Sequence, residues 1–267
     1  MKACIYGAGA IGGWIGSGLA RAGCSVSVVA RGATLEALQL HGLRLKQGKQ
    51  VTSQAVASSA QPADLGVQDL VVLAVKAPSL PEVARQIAPL LGPATMLLTA
   101  MNGVPWWFLH GFGGALAGTR LTSIDPAGAL AEAMPPRHVI GCVVHANCSV
   151  AEPGLVRHHF GNKLIVGEPT GERTGRLREL AGLLEKAGFE IERATYANWT
   201  FFAPILAGRT LMKLTGIKPE SENNVNVSAL NGVFGKLFGA ERFWLKNFNF
   251  PFGVSIVIVA KKAEARA

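Results

Sequence analysis

Acidic residues are the first scarcity. The chain carries 17 Asp and Glu against 26 Lys and Arg, a formal charge of +9 over 267 residues. The basic excess is scattered, and Lys261-Lys262 is its only adjacent pair. A nucleic-acid binder gathers such charge into a stripe or run, so no nucleic-acid partner is expected. A dispersed positive field suits small anionic ligands instead. Cysteine is sparse too. Cys4, Cys24, Cys142 and Cys148 form no CxxC pair and no metal-ligand spacing, which argues against a metal site or a dithiol centre. No apolar run approaches the ~20 residues that cross a bilayer. The tail "VSIVIVA" (254–260) is too short for that and reads as a strand. No basic leader precedes the first strand-like segment, so the expected setting is the reducing cytoplasm, with no membrane partner.

What is present is core material: 49% of residues are apolar and only 16% charged. That composition excludes a disordered chain. Strand and helix patterns alternate through the first two-thirds. "KACIY", "SVSVV" (25–29), "DLVVLAV" (69–75) and "TMLLTA" read as strands. Residues 10 to 22, "ATLEALQLHG" and "LPEVARQIAPLLG" read as helices between them. Such alternation predicts an α/β fold, a Rossmann-type doubly wound sheet with helices on both faces. From about residue 120, "RLTSI", "HVIGCVVHANCSV", "GLVRHHF" and "NKLIVGE" predict an antiparallel addition at the sheet edge. "ERTGRLRELAGLLEKAGF" (172–189) is an amphipathic helix with Leu177, Leu180, Leu183, Leu184 and Ala187 on one stripe. Beyond about residue 195, Asn and Phe become frequent and Lys replaces Arg. The expectation is a domain over 1–190 and a smaller, mostly helical, shortened domain over 191–267.

The chemistry concentrates at "YGAGAIGG". Gly7, Ala8, Gly9, Ala10, Ile11 and Gly12 form a GxGxxG run that follows a strand and opens a helix, where a dinucleotide fingerprint belongs. Gly7 permits the tight turn, Gly9 lets backbone approach a pyrophosphate, and Gly12 lets helix pack on strand. The helix N-terminus supplies free N–H groups for the phosphates. A glycine-rich turn without a ligand is the alternative. The second strand then ends in Val29-Ala30-Arg31, with no carboxylate until Glu36. An acid there would bond the ribose hydroxyls and repel a 2′-phosphate, whereas Arg31 can grip that phosphate with two prongs. The pattern therefore points to NADP(H), unless Arg31 is only a solvated surface residue.

Lys76 ends "LVVLAVKA" and Asn102 sits in "LLTAMNGV", both at carboxyl ends of strands, where open α/β sheets bind ligands. A solvated loop lysine and an Asn-Gly turn are the alternatives. His145, His158 and His159 lie on strands and read as structural. The Trp106-Trp107 pair reads as core.

"GAGAIGG", "VARGA", "VVLAVKA", "MNGV" and "HVIGCVV…PGLVRHHFGNKLIVGEP", in that order, resemble the ketopantoate reductase family over about residues 1 to 190. The resemblance implies an NADPH-dependent enzyme of two domains that reduces a 2-keto acid to a 2-hydroxy acid. It implies that Gly7 to Gly12 and Arg31 hold the cofactor. It implies that Lys76 and Asn102 lie in the cleft and that the segment around Asn147 passes the cofactor. In the family, a C-terminal helix carries a lysine acid followed by asparagines at helical spacing. A gap-free match from Trp199 puts Phe201 on that lysine; a second match through "MKLTG" and "NVNVSALNG" puts Lys213 there, with Pro219 between. Lys213 is thus the candidate proton donor, with Lys76 behind it, and a surface lysine is the alternative. Three readings stay open: a working 2-keto acid reductase, an NADP(H)-binding protein that has lost catalysis, and another nicotinamide dehydrogenase. A shortened helical domain that exposes apolar surface would favour a homodimer.

Overall fold

The first strand explains why the sheet must be covered on both sides. In β1 (Lys2–Tyr6), Ala3 and Ile5 enter one apolar core while Cys4 and Tyr6 enter another. β6 (Gln68–Leu73) splits the same way, Leu70 and Val72 against Val71 and Leu73. Successive strand side chains point to opposite faces, so a continuous apolar run needs a helix layer on each face. The computed structural model describes residues 1–111, 116, 118–191, 195–197 and 255–257. The chain divides into two compact units, Met1–Glu192 and Arg193–Ala267.

In the first unit, β1 lies between β2 (Ser25–Val29) and β6, parallel to both. β5 (Ala57–Ser59) continues beyond β2. On the other side β7 (Leu91–Ala100) and β8 (Val139–Glu152) follow β6 in parallel. β9 (Leu155–Gly167) then runs antiparallel to β8, and β3 (Leu43–Gln47) and β4 (Gln50–Gln54) complete that edge. A short β10 (Glu190–Ile191) pairs beside β9. The α/β, doubly wound expectation therefore holds. One core packs α1 (Ala10–Arg21), α2 (Gly32–His41) and α5 (Gly175–Lys186); the other packs α3 (Leu80–Gln86) and α4 (Ala129–Ala133). No helix among the described residues is long and apolar enough to cross a membrane.

The sheet curls around α1. A Cβ on Gly13 would meet the Val156 side chain at 2.5 Å, and one on Gly16 would meet Ile5 and Leu43 at 2.9 Å. β1 and the β3–β9 pair, well separated in the strand order, thus press on one helix, and every residue from Gly12 to Leu19 is buried. Four glycines are poor helix formers, so this helix is held by its surroundings rather than by propensity.

Several elements differ from expectation. The helix at 80–92 stops at Gln86, followed by a 3-10 turn over Ala88–Leu90, because Pro89 has no N–H to continue the ladder. "RLTSI" is not a strand. The Ile124 and Asp125 N–H groups both donate to Leu121 O at 2.9 Å, and buried Asp125 caps Leu130 and Ala131 at the start of α4. "GLVRHHF" and "NKLIVGE" form one strand, β9, kinked at Gly161 where φ is +77°. The β3–β4 hairpin, closed by Gly48-Lys49, and β5 were not anticipated.

In the second unit, β11 (Thr195–Ala197) pairs antiparallel with β12 (Ser255–Val257), within the stretch expected to be a strand. The expected C-terminal helices and Phe201, Lys213 and Pro219 lie outside the described residues.

Candidate functional site

A crevice of about 290 Å³ opens beyond the carboxyl end of β1. The order of strand addition reverses there: β2 follows β1 on one side, while β6 lies on the other. Open α/β sheets form ligand crevices at such a switch point.

The glycine loop forms the floor. Gly7 has φ +98°, and its N–H donates to Val29 O at 3.2 Å. A Cβ on Gly12 would lie 2.0 Å from Gly7 O, so only glycine lets α1 approach the strand here. Gly9 is different: a Cβ there would meet nothing within 4 Å. Its bare backbone faces open space. Gly9 is also the N-cap of α1, with no side-chain cap and no acidic residue in the first turn. The first N–H groups of α1 therefore keep their partial positive charge for a ligand. This cradle fits a dinucleotide pyrophosphate.

Gly7, Ala8, Gly9 and Arg31 line the crevice. Ala10 and Ile11 begin α1 and are half-buried. Gly12 lies behind the loop as a packing residue. Arg31 is the N-cap of α2, is largely exposed, and makes an ion pair with Glu82 in the first turn of α3. Thr34, Glu82 and Gln86 also line the crevice, as does Val150, and sequence reasoning missed all four. Glu82 carried a usable signal, since it starts the helix that follows a strand beside β1. Val150 carried none, because only the curl of β8 brings it there.

The other candidates are placed less directly. Lys76 is exposed, just past β6, and does not line the crevice. Asn147 is exposed on β8 at a break in register opposite Phe160. The Asn102 amide is already engaged: its Nδ2 donates to Val144 O at 3.0 Å and its Oδ1 accepts from Val144 N–H at 2.9 Å. It ties the turn after β7 to β8, keeping one N–H and one lone pair. Lys213 lies outside the described residues.

The remaining groups are structural. His158 stacks on Trp14 with centroids 5.6 Å apart and bonds Gly161 O. His159 pairs with Ser149 at 2.8 Å. Trp106 is core, with its indole N–H on Met134 O. Burial pushes the Cys4 thiol up to about 11 and Cys142 to about 12, so neither is a thiolate nucleophile at neutral pH.

Residues 3–171 match the model of the family described as ketopantoate reductase PanE/ApbA. The chain belongs to the ketopantoate reductase family. A 2-dehydropantoate 2-reductase from Mesorhizobium japonicum is 50% identical over 191 residues, covering 71% of this chain and 59% of that protein. A crystal structure from Ralstonia solanacearum MolK2, assigned as a ketopantoate reductase, superposes with a TM-score of 0.69 at 50% identity. It covers 71% of this chain and 59% of that one. A PanE/ApbA family ketopantoate reductase from Ralstonia eutropha JMP134 superposes with a TM-score of 0.57 at 29% identity, over 72% of this chain and 55% of that one. The chain spans between 53% and 59% of the length of the curated relatives it matches. The crevice and its glycine loop fall inside the segment matched to ketopantoate reductases.

Proposed function

We propose that the crevice binds NADP(H) and that the chain reduces a 2-keto acid of the ketopantoate type to its 2-hydroxy acid. The observation that carries this reading is the glycine cradle: open space over Gly9, uncapped N–H groups of α1, and Arg31 on the crevice wall. The family's relatives named 2-dehydropantoate 2-reductase supply the substrate class. When bound, the nicotinamide group supplies hydride to the C2 ketone. This chain's residues do the rest. The Gly7–Gly12 loop holds the pyrophosphate and Arg31 holds the 2′-phosphate. Asn102 fixes β8 beside the turn after β7 and offers its remaining N–H to substrate or cofactor. A cation must meet the negative charge that grows on the ketone oxygen and protonate it. Lys213 is proposed for that role, with Lys76 behind it. Residues 1–190 serve as the cofactor domain and 191–267 as the substrate domain.

A second reading, NADP(H) binding without catalysis, is favoured by one observation. The family match stops at residue 171, short of Lys213.

The test is a titration of the full chain with NADPH, followed by cofactor fluorescence, and then addition of ketopantoate while nicotinamide absorbance is watched. Binding with turnover is the expected result. Binding without turnover leaves the second reading standing. Absence of binding overturns both.

A further inference from the structure

The end of β2 lacks the carboxylate that would hold an adenosine ribose, and the fold delivers one from the opposite arm of the crevice. Arg31 follows β2, on one side of β1; Glu82 follows β6, on the other. Their side chains meet in an ion pair across the crevice that also holds Gly7, Ala8 and Gly9. Glu82 is firmly placed. Its neighbours Leu80 and Val83 are buried, and Gln86, one turn on, accepts from the Tyr6 hydroxyl at the end of β1. The Glu82 side chain is 37% exposed, so acceptor sites on its carboxylate remain open beside Arg31.

We propose that Glu82 is a specificity-determining residue: it accepts the ribose 2′-hydroxyl of NADH and gives up Arg31 to the 2′-phosphate of NADPH. A group bonded to the guanidinium that receives the 2′-phosphate necessarily lies within a few ångströms of the 2′ position. The crevice therefore takes both dinucleotides. The Arg31–Glu82 pair, rather than Arg31 alone, sets their ratio. An exposed pair of this kind opens readily when a doubly charged phosphate competes for the arginine. The proposal rests on the reading that the crevice binds a nicotinamide dinucleotide.

The test is the dissociation constant of NADPH and of NADH, read by fluorescence on the full chain and on two Glu82 variants. In the native chain both bind, within about tenfold of each other. Glu82→Gln tightens NADPH about threefold, by removing a like charge, and weakens NADH about tenfold, by removing a charged acceptor. Glu82→Ala moves both in the same directions, and unchanged melting temperatures show that either variant is folded. Arg31→Ala weakens NADPH and spares NADH. Native binding of NADPH without measurable NADH, or a Glu82→Gln variant whose ratio is unchanged, overturns the role of Glu82 while leaving the crevice as a dinucleotide site. Failure of the native chain to bind either dinucleotide overturns the underlying reading as well.

Discussion

Two of the arginine–glutamate pairs among the described residues share one chemistry and have opposite characters. Arg31–Glu82 spans the crevice with side chains 67% and 37% exposed. Arg176–Glu168 joins the end of β9 to the start of α5, with side chains 31% and 4% exposed. The second pair is saturated. Arg176 donates from Nε and Nη2 to the two carboxylate oxygens, and also to the carbonyls of Arg137 and Val139. Thr174 donates its hydroxyl to Glu168 and caps α5 by accepting from the Leu177 N–H. Among the described residues the first pair bonds only within itself, leaving guanidinium donors and carboxylate lone pairs open. Burial and spare bonding capacity, rather than residue type, separate a structural staple from a binding element.

The comparison is tested most severely at the staple. Arg176→Met keeps much of the side chain's length but leaves the Glu168 carboxylate buried without its cation. The expected loss is about 3 to 5 kcal/mol in denaturant unfolding. A loss below about 1 kcal/mol would mean the two pairs do not differ in kind. The acid side sharpens the same point. Burial raises the Glu168 pKa, but hydrogen bonds from Arg176 and Thr174, with the arginine's charge, outweigh it and hold the value below 4.5. The unfolded chain therefore takes up the proton first as pH falls. The stabilisation is full well above 4.5 and is lost as pH drops through the folded-state value. Melting temperature against pH should show this acid slope in the native chain and a shallower one in Arg176→Met.

The glycines repeat the contrast on a smaller scale. Gly12→Ala forces a Cβ to 2.0 Å from Gly7 O, and should cost about 1 to 3 kcal/mol. Gly9 has φ −74° and open space around it, so Gly9→Val should cost no more than about 1 kcal/mol, the loss of a glycine N-cap. Yet the valine would stand where the pyrophosphate approaches, and dinucleotide binding should be lost. A Gly9→Val protein that unfolds early, or one that binds normally, would break the separation between packing glycine and ligand glycine.

What could be read from sequence follows the range of the interactions concerned. The Gly7–Gly12 loop was legible because turn, approach and packing all lie within one strand–helix junction. Arg31 was legible as a cation at a strand end. Glu82 was legible as an acid in the first turn of the helix after β6, but not as the partner of Arg31, since it lies 51 residues away and is brought close only by the order β2-β1-β6. Asn102 was recognised as polar and well placed, but its bonds to Val144, 42 residues on, depend on β7–β8 pairing. "RLTSI" has strand-like composition, and the capping bonds of buried Asp125 overrode it. In the β3–β4 hairpin, β3 alternates over only Leu43 and Leu45, too short a run to stand out, and β4 is polar and largely exposed.

The smallest expected effect is at the crevice pair. Glu82→Ala removes an exposed ion pair whose desolvation is slight, whose side chains are long, and whose attraction is screened by salt. Stability should change by no more than about 0.5 kcal/mol, and that difference should shrink as salt is raised. In the same protein, Arg176→Met should retain most of its larger penalty at high salt, because the charge of the buried Glu168 is screened much less. Denaturant midpoints for both variants at low and high salt decide this. If Glu82→Ala costs as much as Arg176→Met, the crevice pair is holding the β2 and β6 arms together, and a 2′-phosphate could not open it cheaply.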